Sequence, residues 1–228
     1  MSEEGKKTTI TVDDTQNVSG LLIAPRNARA CYVLAHGAGA GMHHPFMHAV
    51  AVELAERGIA TFRYQFPYME ARKKRPDAPK IAHATVRAAV AAAARLAPKL
   101  PLIAGGKSFG GRMTSQAQAA SPLSDVKGLA LLGFPLHPPG APSDERGEHL
   151  VDVQVPMLFL QGARDEFASL DLLQPLVKRL APRAALCLVD QADHSFHVPA
   201  RTGKKDADTR REMLDVLSAW IDETISGV

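Results

Sequence analysis

The chain has 228 residues, a length that suits one domain around a single hydrophobic core. Its formal net charge of +3 is small, which argues against a nucleic-acid-binding protein, and the one basic run, Arg72–Arg75, is interpreted as a solvated face. Since no stretch approaches the roughly 18 apolar residues of a membrane helix and residues 1–7 lack a signal-peptide core, we expect a cytoplasmic protein without a membrane partner.

Apolar runs alternate with helical patterns along most of the chain. Two short strands are predicted first, at Thr8–Val12 and Leu21–Ala24, and further apolar runs predict strands at Cys31–Ala35, Ile59–Arg63, Leu102–Gly105, Gly128–Phe134, Pro156–Gln161 and Ala184–Val189. Helices are predicted from an apolar face between Phe46 and Leu54, from the alanine-rich segment Lys80–Ala97 and from a face between Met213 and Ile221. This alternation favours one α/β domain over residues 1–228, with a mostly parallel sheet and helices on both faces.

A loop of small residues follows the predicted strand Cys31–Ala35, as His36-Gly37-Ala38-Gly39. Small side chains let such a loop fold tightly and bring a backbone amide close to a substrate. The alternative is a glycine-rich turn that merely connects strand and helix. A phosphate-binding loop is disfavoured, because neither of the glycine patterns typical of nucleotide-binding loops occurs here, and Gly106-Lys107-Ser108 lacks the required earlier glycine. We therefore expect no nucleotide cofactor.

The predicted strand Leu102–Gly105 runs into Gly106-Lys107-Ser108-Phe109-Gly110, a G-x-S-x-G pattern. This pattern is typical of a sharp strand-to-helix turn that exposes a nucleophilic serine, because side chains at the two flanking glycines would collide across the bend. So short a pattern also arises by chance, so an ordinary glycine-rich turn is the alternative. The position of the remaining polar residues decides between the two interpretations.

An acid and a histidine follow two later strands. Asp165 comes just after the run Pro156–Gln161, and His194 comes after Ala184–Val189. Ligands of open α/β sheets bind at the carboxyl ends of the strands, so Ser108, Asp165 and His194 are expected to meet there in the order nucleophile, acid, base. Neighbouring residues compete for two of these roles: His197 for the base, and Glu166 or Asp144 for the acid, whereas Asp193 is interpreted as a turn former.

The segments GGKSFGGR, HGAGAGM, FPYME, LGFPLHPPG, GARDEF and ADHSF resemble the α/β-hydrolase superfamily, and within it a compact family of predicted hydrolases without a lid. That family is similar to dienelactone hydrolases and has relatives among subunits of a nonspecific-lethal histone acetyltransferase complex. The resemblance implies an α/β-hydrolase fold without a large cap domain. It also implies a triad of Ser108, Asp165 and His194, and an oxyanion hole formed by the backbone amides of Ala38 and Phe109.

These residues predict a serine hydrolase. A serine hydroxyl is a poor nucleophile, so His194 is expected to take the proton of Ser108, and Asp165 to hold the imidazole in the correct tautomer. The predicted reaction is cleavage of small carboxylesters or thioesters through an acyl-enzyme, with a small-molecule substrate as the partner. The alternative is a catalytically silent protein-interaction module that keeps the fold.

Three further features bear on the site. The interval Pro135–Val155 is too short for a helical cap and rich in proline, so it predicts a short stiff wall beside a shallow, open site. The loop Gln65–Met69 is a second candidate wall, with Phe66 and Tyr68 either lining the site or packing beneath the loop.

A zinc site is disfavoured, because the histidines that lie together in the sequence have no matching carboxylate and are interpreted as a polar helix entry: His43, His44 and His48. The two cysteines, Cys31 and Cys187, fall in strands predicted to be buried and are expected to be reduced.

Overall fold

A computed structural model describes residues 5–227 of the chain. In that range the strands are β1 (Lys6–Thr11), β2 (Asn17–Ile23), β3 (Ala30–Ala35), β4 (Ile59–Tyr64), β5 (Leu102–Lys107), β6 (Val126–Leu132), β7 (Met157–Gly162) and β8 (Ala184–Val189). The helices are α1 (Pro45–Glu56), α2 (Pro67–Glu70), α3 (Pro79–Leu96), α4 (Phe109–Ala120), α5 (Leu170–Arg179) and α6 (Asp206–Ser226). Short 3-10 helices lie at Glu145–Asp152 and Ala200–Thr202.

The strands form one eight-stranded sheet in the order β1-β2-β4-β3-β5-β6-β7-β8. The pairings of β1 with β2 and of β2 with β4 are antiparallel, whereas all pairings from β4 to β8 are parallel. The predicted mostly parallel sheet is confirmed. Because the carboxyl ends of parallel strands lie at one edge, the loops after β3, β5, β7 and β8 gather at that edge.

Helices cover both faces of the sheet, as predicted. Successive residues of a strand point to opposite faces, so Val33 of β3 packs in the layer under α3, α4 and α5, while its neighbour Leu34 packs in the layer under α1 and α6. The middle strands are therefore buried on both sides, which explains why they appear in the sequence as continuous apolar runs. None of the helices described between residues 5 and 227 is long and apolar enough to cross a membrane.

Two predictions about the strands need correction. β2 begins at Asn17 rather than at Leu21, because its first residues pair with β1 through the backbone, and the polar side chains of Asn17 and Ser19 conceal this from an apolar pattern. The predicted burial of Cys187 is wrong: the residue is only half-buried, because β8 is an edge strand that pairs with β7 alone. Cys31, in the middle of the sheet, is fully buried, and burial raises the pKa of its thiol to about 12.

The segment between β6 and β7 holds a 3-10 helix, Glu145–Asp152, and no large cap, as predicted. The segment is less of a free wall than its proline content suggests. Its beginning is anchored, because His137 is buried and its Nε2 accepts a hydrogen bond of 2.9 Å from the amide of Ser169. The 3-10 helix packs on α4, where the Oγ of Ser115 lies 2.8 Å from the Nε2 of His149. Only the tip, Pro138–Pro142, is exposed throughout.

The approach of β5 to β6 gives a test of this packing. A Cβ on Gly105, whose φ is 149°, would lie 1.9 Å from the carbonyl oxygen of Ala130. We expect Gly105→Ala to lower the free energy of unfolding by about 3 kcal/mol or more, since the clash is with backbone that cannot rotate away. The control is Gly203→Ala, where φ is 71° and no atom lies within 4 Å, so that only a backbone strain of about 1 kcal/mol is expected. Urea unfolding measures both, and equal losses would contradict the close approach.

Candidate active site

Ser108 lies at the junction of β5 and α4, in a backbone conformation that non-glycine residues rarely adopt. Its φ is 49° and its ψ is −118°. The amide of Ser108 donates a hydrogen bond of 2.9 Å to the carbonyl of Leu132 in β6, which holds the strained residue against the sheet. Strain of this kind costs about 1–3 kcal/mol and persists only where the surrounding structure enforces it.

The glycines on either side of Ser108 permit a close approach of two chain segments. A Cβ on Gly106 would lie 2.3 Å from the carbonyl oxygen of Ala35, and a Cβ on Gly110 would lie 2.6 Å from that of His36. The predicted reason for these glycines, collision across the bend itself, therefore needs correction. The contacts are with β3 and the loop that follows it, so the two glycines let α4 pack directly against that loop.

The structure brings the three residues of the predicted triad together. The Nε2 of His194 lies 2.8 Å from the Oγ of Ser108, and its Nδ1 lies 2.7 Å from the Oδ2 of Asp165. A carboxylate accepts only, so Nδ1 carries the proton and Nε2 is left as an acceptor for the serine hydroxyl. The side chain of Asp165 is 0% exposed and that of His194 is 19% exposed, so only the histidine and serine face the solvent.

Buried donors fix the carboxylate of Asp165. Its Oδ2 also accepts a hydrogen bond of 2.6 Å from the Nε2 of Gln161, and its Oδ1 accepts one of 2.8 Å from the amide of Phe167. The Oε1 of Gln161 in turn accepts from the amide of Phe134 at 2.8 Å, so the glutamine joins the ends of β6 and β7. Gln161 is not predicted as a site residue from the sequence, although a polar residue in the otherwise apolar strand Met157–Gly162 is a signal that could have found it.

His194 is held from its ring and from its backbone. The ring of Phe167 lies 4.3 Å from the imidazole, centroid to centroid, at an angle of 36°. The ammonium of Lys107 donates a hydrogen bond of 2.6 Å to the carbonyl of His194 and lies 5.3 Å from the centroid of Phe196. Burial lowers the pKa of Lys107 to about 8, although the carboxylates of Asp165 and Asp193 oppose this effect. No pattern in the sequence points to either holding residue.

Two backbone amides near Ser108 are available to a ligand. In the described part of the chain, neither Ala38 nor Phe109 donates its amide to another residue, whereas the neighbouring amide of Gly39 donates to the hydroxyl of Tyr68 at 2.9 Å. Ala38 is exposed and lines the cavity that contains Ser108. An oxyanion hole needs free amides of this kind, so the predicted pair remains a candidate.

The loop after β4 supports the Ala38 loop instead of lining the site. Phe66 and Tyr68 are both buried, which favours the packing interpretation of these aromatic residues. The side-chain oxygen of Gln65 accepts a hydrogen bond of 2.9 Å from the amide of Met42, and the Tyr68 hydroxyl accepts one from the amide of Gly39. The loop after β4 thereby fixes the backbone that carries Ala38.

His36 also links these two loops. It is fully buried, its Nδ1 lies 2.8 Å from the carbonyl of Gly37, and its Nε2 accepts a hydrogen bond of 3.2 Å from the amide of Phe66. Since Nε2 accepts, Nδ1 must donate to Gly37, and the ring is neutral. Burial lowers the pKa of His36 from 6.5 to about 4 because it penalises the imidazolium.

The other candidates for base and acid form no hydrogen bond with Ser108 among the described residues. The Nδ1 of His197 contacts the carboxylate of Asp206 at 2.9 Å, and both side chains are more than half exposed. Glu166 is exposed, and the Oδ1 of Asp193 accepts backbone amides within its own turn. Structural contacts also engage Asp144, which lies 3.4 Å from Arg179, and His44, whose Nδ1 accepts from the amide of Phe46 at the start of α1.

The cavity beside Ser108 has a volume of about 320 Å³. Phe46, Met47 and Phe167 give it apolar walls, and Lys107 and His194 are among its polar residues. A larger groove of about 550 Å³ lies elsewhere, between the end of β2 and the end of α1, and its lining contains no serine, cysteine or histidine from the described residues. The smaller cavity is therefore the one that places a substrate against a nucleophile.

Comparisons with known proteins agree with the fold described above. The family described as "Alpha/beta hydrolase domain" matches residues 28–222. Among solved structures, the chain is similar to an alpha-beta serine hydrolase homologue from Coxiella burnetii, with 17% identity, a TM-score of 0.74 and coverage of 93% of this chain and 97% of that one. It is also similar to a serine hydrolase without a lid from Xanthomonas campestris, with 20% identity, a TM-score of 0.72 and coverage of 96% of each chain. A dienelactone hydrolase from Anabaena variabilis has 19% identity to the chain and a TM-score of 0.74, with coverage of 96% of this chain and 98% of that one.

The neutral, buried His36 predicts a dependence of stability on pH. Its pKa is about 4 in the folded protein and near the ordinary 6.5 in the unfolded chain, so the unfolded state binds more protons between these values. We expect the free energy of unfolding to fall as the pH drops through this interval, by about 3 kcal/mol from this one group.

Urea unfolding of a variant isolates this contribution. His36→Gln should be less stable than the wild type at neutral pH. On acidification its free energy of unfolding should fall less steeply than that of the wild type, and the two slopes should differ by up to about 1.4 kcal/mol per pH unit. His48→Gln, at an exposed position of α1, is the control and should follow the wild type. Parallel curves for His36→Gln and the wild type would show that His36 is not the titrating group.

Proposed function

The chain belongs to the alpha/beta hydrolase domain family, and from this premise we propose that it is a serine hydrolase that cleaves small carboxylesters or thioesters through an acyl-enzyme. The observation that carries the proposal is the continuous hydrogen-bonded chain from the Oγ of Ser108 through His194 to Asp165. We also propose that residues 1–228 form one catalytic domain, since both hydrophobic layers share the same sheet.

In the first half of the reaction, the Oγ of Ser108 attacks the carbonyl carbon of the substrate. The serine proton passes to the Nε2 of His194, and the Asp165 carboxylate stabilises the imidazolium that results. The carbonyl oxygen becomes an oxyanion, which accepts hydrogen bonds from the free amides of Ala38 and Phe109. When the intermediate collapses, the bond to the leaving group breaks and His194 gives its proton to the departing alcohol or thiol.

In the second half, water cleaves the acyl group from Ser108. His194 is neutral again and takes a proton from water, whose oxygen attacks the acyl carbon in the position that the leaving group occupied. Collapse of the second oxyanion releases the acid and returns the proton to the Oγ of Ser108. The buried contacts of Asp165 and the Lys107 contact to the backbone of His194 hold the imidazole in place through both halves.

Covalent labelling tests the nucleophile. A fluorophosphonate should add one equivalent to the wild type, as seen by intact mass, and Ser108→Ala should abolish the addition. Ser115→Ala is the matched control, because Ser115 also contacts a histidine but is buried. Asp165→Asn should keep the fold and lower turnover by several orders of magnitude, roughly 10⁴. A folded wild type that resists labelling would favour the protein-interaction module, and labelling that survives Ser108→Ala would overturn the assignment.

The size of the cavity gives a further test of the substrate. With about 320 Å³ beside Ser108 and no large cap above it, added methylenes of a long acyl chain should remain in solvent. The specificity constant across a p-nitrophenyl ester series, measured below micelle formation, should therefore level off by about six acyl carbons. Beyond that length, each added methylene should contribute much less than the ~0.8 kcal/mol expected for full burial. A steady rise through long chains would contradict a small open site.

A further inference from the structure

Arg112 carries a guanidinium that no described residue neutralises. Its Nε is buried and has no hydrogen-bond partner within residues 5–227, and its side chain makes no ion pair with a carboxylate there. A guanidinium has five N–H donors, and leaving them unpaired in a partly desolvated position is costly. Buried polar groups usually have a hydrogen-bond partner, so this unpaired donor is available to a ligand.

Arg112 lies on α4, which contacts both α3 and the 3-10 helix Glu145–Asp152 next to this residue. One turn later on the same stripe of α4, the Oγ of Ser115 lies 2.8 Å from His149 of the 3-10 helix, and the Oε1 of Gln116 lies 3.3 Å from His83 of α3. These two contacts join α4 to a neighbouring element on either side of the arginine. Arg112 itself is only partly buried, so its side chain is accessible to solvent.

Positive charge accumulates around Arg112. Burial and the neighbouring guanidinium of Arg146, on the 3-10 helix, lower the pKa of Arg112. Burial also lowers the pKa of His149 to about 4, with Arg112 and His83 acting in the same direction and Asp152 opposing them. Burial likewise lowers the pKa of His83, with Arg112 among the contributing cations. Among the described residues, the cluster thus combines two guanidinium groups that lack a carboxylate partner with two imidazoles whose pKa values are lowered by burial.

Arg112 lies one helical turn after the nucleophile. The amide of Arg112 donates a hydrogen bond of 3.0 Å to the carbonyl of Ser108, so the two residues are one helical turn apart on one stripe of α4. Side chains on a helix lean toward its N-terminus, which is the end that carries Ser108. The Arg112 side chain is therefore expected to lean toward the end of α4 that carries Ser108.

We propose that Arg112 and Arg146 bind an anionic group of the substrate, a carboxylate or a phosphate, while the ester or thioester bond lies at Ser108. Arginine forks match the planar geometry of these groups and bind them through paired hydrogen bonds. The inference rests on the proposed function, because it names the class of substrate as anionic esters or thioesters. The anion itself can be probed separately from catalysis.

The first experiment measures anion binding without catalysis. Inorganic phosphate, compared with chloride at equal ionic strength, should raise the melting temperature of the wild type. Arg112→Gln and Arg146→Gln should lose this shift. Arg95→Gln, which removes the same charge from an exposed position at the far end of α3, should keep it. The anion site would be refuted if phosphate did not raise the melting temperature of the wild type, or if it raised that of all variants equally.

The second experiment asks whether the anion belongs to the substrate. The p-nitrophenyl monoester of glutaric acid is compared with p-nitrophenyl pentanoate, and the ratio of their kcat/KM values removes any general effect of a variant on catalysis. Arg112→Gln should lower this ratio about tenfold, whereas Arg95→Gln should leave it unchanged. An unchanged ratio in a variant that has lost phosphate binding would mean that the two arginines hold a separate anion, and the substrate assignment would be wrong.

The two failures can be told apart. A wild type that resists the fluorophosphonate and cleaves neither ester refutes the serine hydrolase, and with it the anionic substrate, while the phosphate measurement still decides whether Arg112 binds an anion. A wild type that is labelled and cleaves both esters, but shows no phosphate shift, keeps the hydrolase and refutes the anion site.

Discussion

The backbone turn at Ser108 is the constraint on which the rest of the site depends. A serine with a φ of 49° is unfavourable by itself, so the sheet must hold it. Three contacts do so: the hydrogen bond from its amide to β6, and the glycine approaches of Gly106 and Gly110 to β3 and the loop after it. A sheet buried on both faces supplies the rigidity for this, because neither β3 nor β6 can move away without opening the core.

Around that turn, each candidate catalytic group is positioned by a polar side chain from a different strand end. Gln161 orients Asp165 from β7, Lys107 holds the backbone of His194 from β5, and His36 joins the Ala38 loop to the loop after β4. Buried polar groups are costly unless every donor and acceptor is paired, so these side chains favour one arrangement of the loops over others. The site is therefore arranged before any substrate binds.

The sequence predicted the parallel sheet and the covering helices because burial on both faces leaves a simple apolar pattern in the middle strands. The predictions were wrong where strands are not buried on both faces: for the polar start of β2 and for the burial of Cys187 on the edge strand. Ser108, Asp165 and His194 could be proposed from their positions after strands. Lys107 could not be predicted as a supporting residue, because it meets His194 across 87 positions of the chain. Gln161 leaves one signal, a polar residue in an apolar strand, but the sequence does not show that it contacts Phe134 across 27 positions.

The segment between β6 and β7 has a consequence for how such a protein can change over evolution. Its beginning is tied down by the buried His137 and its end by the 3-10 helix on α4, but its tip, Pro138–Pro142, is exposed throughout. Exposed tips tolerate insertions at little thermodynamic cost, because the entropy of closing a loop grows slowly with its length. New residues at this tip could add a roof over the cavity, and so alter the choice of substrate, while the strained serine and its supporting hydrogen bonds stay untouched.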